Sequence, residues 1–492
     1  MFSQDKHVHV PGRPGTISWL VSAAVSIVLF MTALPVQAAL LDAMHRDPIA
    51  PIILGVTGVL FVAIIGRISA RYLGQPPVVG ELVMGILLGN LAVPLGLDLI
   101  IVLREGPAIF DAIEQMLAGS SVEAATLSAF GGSSAMRISD LLQGPNGTEL
   151  LHVVDAVDVF SRYGIIFLLF LVGLESSVDE MRRVGADSAR VAVAGVLLPF
   201  FLGLAAMRVL LPDLPMHSAL FIAATLVATS VGITARVLDD LGKSAAQETR
   251  IIIGAAVIDD VLGLLMLAIV SGIVVSGGVD FTHMGLTVLI AVIFLAGAIF
   301  FGPYILRFII GLFRKFDLIE AKMFVSYMFV MTLAWTANLA GLAAIIGAFT
   351  AGLILHDAYF IHWGAYKKHA YSIRDLIMPL EVILVPIFFV LMGIQVKLET
   401  FLHTESILMA GALLLVAVIG KLACGMAASK KVNRWTIGIG MMPRGEVGLI
   451  FAAIGHSLGV IDEMLFSAVV MMVIITTLAT PMLLKLSARE LK

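Results

Sequence analysis

Charge is scarce in this chain. Only 13% of its 492 residues are Asp, Glu, Lys or Arg, about half the share of a soluble domain. Cysteine is almost missing: Cys424 stands alone, so an intrachain disulfide is excluded and the redox compartment cannot be read. The net charge of −4 provides no basic footprint for a nucleic acid, and no such partner is expected. The short alternation of polar and apolar residues that marks a spanning β-barrel is also lacking. What is abundant is apolar: 60% of residues are hydrophobic and the mean hydropathy is +1.04. That much apolar surface cannot be hidden in one aqueous core, so the solvent must be lipid. Continuous apolar runs further imply helices, which satisfy their own backbone in a bilayer. The fold class expected is an all-α polytopic membrane protein.

The first apolar run, 16–38, follows Lys6 and Arg13 and ends at Val36-Gln37-Ala38. It reads equally as a cleaved signal peptide or a retained N-terminal helix. Residues 1–45 are assigned to it. Thirteen core spans follow, near 49–68, 77–97, 157–176, 188–210, 217–238, 247–274, 284–312, 321–341, 342–358, 376–397, 405–427, 434–456 and 463–485. Together they make a transmembrane unit over 46–486, with a short tail at 487–492. Alternate loops carry the basic residues: Arg67 and Arg71, Arg182 and Arg183, Lys243 and Arg250, Arg314 and Lys315, Lys367 and Lys368, Lys430 and Lys431. The opposite loops hold only the isolated Arg46, Arg104, Arg137, Arg162, Arg208 and Lys397. Basic loops stay in the cytoplasm. The expected location is therefore the inner (plasma) membrane, with the core starting outside and the tail cytoplasmic. Residues 98–156, polar and rather acidic, form an outer insertion with short amphipathic pieces.

The chain contains an internal echo. Gly74, Gly80 and Gly85 lie 267 positions (352 − 85) before Gly341, Gly347 and Gly352, and Asn90 falls on Asp357. Ile165–Glu175 resembles Val385–Gln395 at an offset of 220 (395 − 175). The offsets differ by 47 (267 − 220), the extra length in the outer segment, which reads as an insertion into an older repeat. Spans one to six and eight to thirteen form the two halves, with the seventh as linker. An odd number of helices separates equivalent spans, so the halves are inverted, the architecture of alternating-access transporters.

Several ionisable residues lie inside spans, where each costs roughly 2.5–3.5 kcal/mol. Asp259 and Asp260 occupy the middle of the sixth span. Consecutive helical residues point about 100° apart, so one carboxylate can face a cavity and the other a neighbouring helix. Neighbouring carboxylates hold protons more tightly than one alone, and carboxylate oxygens suit a hard cation. Lys421, in the eleventh span, can pair with an aspartate or extend to the inner surface; the residues alone leave both open. Arg444 and Glu446 flank Gly445 in Met441–Leu449. Pro443 removes a donor and Gly445 weakens the helix, so a break is expected there. In the repeat, Val447-Gly448-Leu449 aligns with Val231-Gly232-Ile233, which sets Thr229 and Ser230 opposite Gly445 and Glu446. A second break is expected at 228–230. Two broken helices crossing near the aspartates would aim their end charges at the site. Glu81, Glu175 and Glu381 are given structural or interfacial roles.

These residues resemble the cation:proton antiporter-2 family, over about residues 50–486. The motifs are Gly-Gln-Pro-Pro-Val-Val-Gly-Glu-Leu at 74–82, Phe-Leu-Val-Gly-Leu-Glu at 170–175, Asp259-Asp260, and Pro-Arg-Gly-Glu-Val-Gly-Leu at 443–449. The resemblance implies a homodimer with a dimerisation part and a core part that moves like an elevator. It implies a cation and proton site at Asp259 and Asp260, Lys421 paired to the first aspartate, and electrogenic exchange of Na⁺, with Li⁺ as a second cation, for H⁺. Thr229 and Ser230 join the expected ion site; Lys421, Arg444 and Glu446 are its charge-compensating groups. No cofactor and no enzymatic step are expected. The rival readings are K⁺/H⁺ exchange by the same machinery, a gated monovalent cation channel, and a solute carrier of similar repeat design.

Overall fold

A computed structural model describes residues 49–488, apart from 107, 131, 176–184, 231–233, 235–236, 239–240, 242, 244–245, 276–280, 314–315, 341, 361–370, 400–403 and 445. The first apolar run and the end of the tail lie outside the described residues, as does Gly445. Among the described residues all regular structure is helical.

Helix follows helix because the spans are long, apolar and without interior charge in most turns. The helices are α1 (Ala50–Tyr72), α2 (Pro77–Leu95), then α3 (Asp98–Arg104), α4 (Ala108–Leu117), α5 (Val122–Phe130) and α6 (Gly132–Gln143). There follow α7 (Gly147–Glu175), α8 (Ala186–Leu210), α9 (Met216–Thr225), α10 (Gln247–Val275), α11 (Phe281–Leu312), α12 (Leu318–Leu339) and α13 (Ala344–Ile354). The chain ends with α14 (Ile373–Ile394), α15 (Thr404–Cys424), α16 (Arg434–Gly440), α17 (Glu446–Ser457) and α18 (Glu463–Ser487). Ten of these are long and apolar enough to cross a membrane, and α9, α13 and α17 are shorter apolar helices. Each expected core span overlaps at least one of these thirteen helices, and the second half of the fifth lies partly outside the described residues. The insertion differs in extent: α7 begins at Gly147, so the last ten residues assigned to the outer segment extend the third span. Four short helices, α3–α6, fill the rest.

Packing sorts the helices into two bundles. One comprises α1, α2, α7, α12, α13 and α14, which pack on one another. The other comprises α8, α9, α10 and α15–α18. The long α11 touches α10 of the second bundle and α12 and α13 of the first.

The sequence echo recurs as contacts. A Cβ on Gly85 would lie 2.9 Å from Gly393 Cα, where α2 meets α14. Its counterpart Gly352 would place a Cβ 2.8 Å from the carbonyl carbon of Gly173, where α13 meets α7. Gly80 packs onto the carbonyl oxygen of Gly66 on α1, and Gly347 onto that of Leu333 on α12, in each case with 2.0 Å to an added Cβ. The offset from Gly66 to Leu333 is again 267 (333 − 66). Asn90 and Asp357 each tie down one end of α14. The Asn90 amide donates to Val396 O at 2.8 Å and accepts from Leu398 N at 3.0 Å; Asp357 accepts from Ile373 N at 3.2 Å and from Lys322 Nζ at 2.6 Å. Glu81 is fully buried and takes the Arg67 Nε at 2.7 Å, a structural pair between α1 and α2.

Candidate functional site

The site is built in the second bundle. Asp259 and Asp260 sit mid-way along α10. Asp259 is completely buried and Asp260 is 8% exposed. Lys421, near the end of α15, is also fully buried. It donates to both Asp259 oxygens, at 2.9 and 3.1 Å. The lysine therefore turns inward to the aspartate rather than along the bilayer to its surface. Gly195 of α8 makes room for the pair: a Cβ there would stand 3.3 Å from Lys421 Nζ and 3.4 Å from Asp259 Oδ1. The Cys424 thiol donates to the Lys421 carbonyl at 2.9 Å. One turn beyond Asp259, Gly263 faces Val227 and Phe451, both 3.9 Å from an added Cβ. The helix that carries the carboxylates thus packs, one turn on, against the interrupted stretch of the fifth span.

The fifth span stops as helix at Thr225, three residues before the expected break, and Leu226–Ser230 is not regular helix. The twelfth stops at Gly440 and restarts at Glu446. Each interruption frees backbone carbonyls that lipid cannot satisfy. The two segments satisfy one another. Arg444, fully buried, donates through Nη1 to the carbonyls of Val227, at 2.9 Å, and Ala228. In return, Thr234 Oγ1 donates to Gly440 O at 2.6 Å and Thr229 Oγ1 to Met441 O at 3.4 Å. Ser230 N donates to Pro443 O at 2.9 Å. The Thr477 hydroxyl, on α18, donates to Arg444 O. Among the described residues the Arg444 Nε and Nη2 find no acceptor, which leaves spare positive hydrogen-bonding capacity inside the bundle.

The structure thus brings Lys421 to Asp259 and Arg444 to the residues just before Thr229 and Ser230. Glu446 opens α17, and its side chain lies outside the described residues. Two contributors, Thr234 and Thr477, escaped the sequence reading. Threonine in an apolar helix commonly bonds its own preceding turn. Only its place beside a predicted break could have singled out Thr234.

Chemically, the arrangement offers two carboxylates in a low-dielectric interior, one neutralised by a lysine and the other beside it. It has oxygen donors for a small hard cation and groups that can take protons.

Comparison with known proteins points the same way. The family model described as "Sodium/hydrogen exchanger, transmembrane" matches residues 58–486. The chain is 34% identical over 444 residues to the high-affinity Na(+)/H(+) antiporter NhaS3 of Synechocystis, covering 88% of this chain and 89% of that protein. It is 30% identical to the Na(+)/H(+)-K(+) antiporter GerN of Bacillus cereus, covering 85% of this chain and 92% of that one. Among solved structures it shares the fold of the sodium proton antiporter MjNhaP1 from Methanocaldococcus jannaschii. The TM-score is 0.57 at 15% identity, covering 90% of this chain and 99% of the other.

Proposed function

Because this chain belongs to the sodium/hydrogen exchanger family, we propose that it exchanges Na⁺ for H⁺ across the membrane at Asp259 and Asp260. The observation that carries the assignment is the buried carboxylate pair on α10, with Lys421 donating to both oxygens of Asp259. With the pocket open to one side, Na⁺ displaces protons from the two aspartates. An empty, doubly charged site costs too much to carry past an apolar barrier, so only the cation-loaded or protonated site crosses. Lys421 balances Asp259 while Asp260 holds a proton, and gives up its partner when Na⁺ binds. Thr229 and Ser230 line the ion's surroundings, and Arg444 and Glu446 balance charge at the crossing. No covalent step is required, and Na⁺ and H⁺ are cargo rather than cofactors.

The same reading extends to assembly and motion. The halves are inverted repeats, the α8–α10 and α15–α18 bundle carries the ion, and the other bundle is the stationary scaffold through which two copies dimerise. The protein sits in the inner (plasma) membrane with its C-terminus in the cytoplasm. A relative named for Na⁺, H⁺ and K⁺ keeps K⁺ as the competing cargo. The test is purified protein in liposomes with a trapped pH dye, pulsed in turn with Na⁺, Li⁺ and K⁺. Dye responses to Na⁺ and Li⁺ are expected. A response to K⁺ alone replaces the Na⁺ assignment, and cation flux indifferent to the proton gradient replaces the exchanger with a channel.

A further inference from the structure

The two bundles meet along a seam, and at one end the insertion closes it. Helix α3 packs on α2, α7 and α14, all of the first bundle. Just beyond it, Gly106 adopts φ +61 and presses against both sides. A Cβ there would lie 3.2 Å from Gln395 Cδ, beyond α14, and 3.1 Å from His456 Cε1 on α17. Beneath it lies a cavity of about 40 Å³, whose lining includes Asp158, Arg162 and Gln395 from the first bundle and Ala453 and Ser457 from the second. Next to this roof, Lys397 crosses the seam. Its ammonium, 9% exposed, donates to Glu105 at 2.8 Å and to Glu463 at 2.5 Å. Its backbone N–H donates to Ser467 Oγ at 3.3 Å. Glu105 directly follows α3, which packs on the first bundle. Glu463 opens α18 of the second.

We propose that Lys397 is a latch between the bundles, shared by a carboxylate on its own side, Glu105, and one across the seam, Glu463. This rests on the alternating-access reading above, in which one bundle moves along the other. Such a movement breaks Lys397–Glu463 and leaves Lys397–Glu105 intact. A buried ammonium is destabilised by each carboxylate partner that it loses. Glu105 therefore keeps the lysine paired in the open state and lowers the cost of opening. The two carboxylates contact one lysine but have opposite effects. Neutralising Glu463 loosens the seam; neutralising Glu105 tightens it, because opening then takes both carboxylates from the lysine. A static brace would respond to both losses in the same direction.

The test is the labelling rate of Ala453→Cys by a water-soluble maleimide, with the protein in nanodiscs so that both faces are open to reagent. Labelling of the chain without Ala453→Cys, where Cys424 is fully buried, gives the background. Glu463→Gln should speed labelling about fivefold, the size of a half-exposed ion pair, and Glu105→Gln, whose pair is more buried, should slow it by at least that factor. Changes in the same direction, or none, overturn the latch. If Glu105→Gln does not fold, Glu105→Asp, which draws the carboxylate back by one methylene, replaces it: slower labelling supports the latch, and an unchanged or faster rate overturns it. Labelling needs no ion flux. A failure here leaves Na⁺/H⁺ exchange standing, and a failure of exchange in liposomes leaves the latch measurable.

Discussion

Removing Lys421 should damage the fold as well as transport, and the size of the damage follows from the pair's geometry. Both Asp259 oxygens face Lys421 Nζ, at 2.9 and 3.1 Å, and both side chains are fully enclosed. Truncating one partner of such a pair leaves an uncompensated buried charge and costs about 3–5 kcal/mol. Lys421→Ala and Asp259→Asn should therefore each lower the melting temperature of detergent-solubilised protein clearly. Their combination removes both charges and should recover most of that loss. A double-mutant cycle should give a coupling energy of up to about 3 kcal/mol, in the sense that the double variant is more stable than the sum predicts. The assay is the fraction remaining monodisperse on size exclusion after heating, for wild type, the two single variants and the double. Strictly additive losses would refute the pairing argument, because uncoupled losses mean that neither charge depends on the other.

Three further outcomes follow from the geometry. Asp260→Asn should fold normally yet lose Na⁺-driven proton flux by a hundredfold or more, on the order of 3 kcal/mol; wild-type flux from that variant in liposomes would remove Asp260 from the site. A cysteine replacing the exposed Ser120 should react with an impermeant reagent on intact cells, whereas one replacing Lys430 should react only after permeabilisation; the reverse pattern inverts the topology. Lys397 lies beyond α14, where burial alone would push its ammonium down, but Glu105 and Glu463 outweigh it and hold it above the ordinary 10.5. A raised folded value gives stability that is full below the ordinary value and is lost as pH rises through the folded one. The melting gap between wild type and Lys397→Gln should stay constant from about pH 7 to 9 and shrink only above about pH 10.5; a gap that closes near neutrality contradicts this.

The spans were legible because lipid leaves the backbone no choice but helix. Pro443 and Gly445 announced the break between α16 and α17 for a local reason, a missing donor and a weak helix former. The break after Thr225 has no such mark, since Leu226-Val227-Ala228-Thr229-Ser230 contains neither proline nor glycine. Only the internal echo pointed to it. Its contacts are tertiary: Arg444 takes the carbonyls of Val227 and Ala228 from a position over two hundred residues away. Asp259 and Asp260 stood out as charge in an apolar run, but the direction of Lys421 did not, because a lysine one turn from a helix end can reach inward or outward. Lys397 was read only as an isolated basic residue. Its partners Glu105 and Glu463 lie 292 and 66 positions away in sequence, and no periodicity links them. The start of α7 at Gly147 was hidden for a different reason: its first turns mix Thr148, Glu149, His152 and Asp155 with apolar residues, and hydropathy locates the lipid-facing part of a helix rather than its end.

Charge movement is the sharpest consequence of a two-carboxylate site with a single lysine. If Asp259 and Asp260 both cycle while Lys421 neutralises only one, more protons than Na⁺ ions cross in each turnover and one net charge moves. One elementary charge is worth about 2.3 kcal/mol per 100 mV, nearly fiftyfold in the equilibrium Na⁺ ratio. The measurement is the condition of zero net flux in proteoliposomes. Na⁺ and proton gradients are fixed, and the potential is stepped with K⁺ and valinomycin. The proposed site predicts a reversal point that moves with potential by that amount. A reversal point indifferent to potential would contradict it and establish one-for-one exchange.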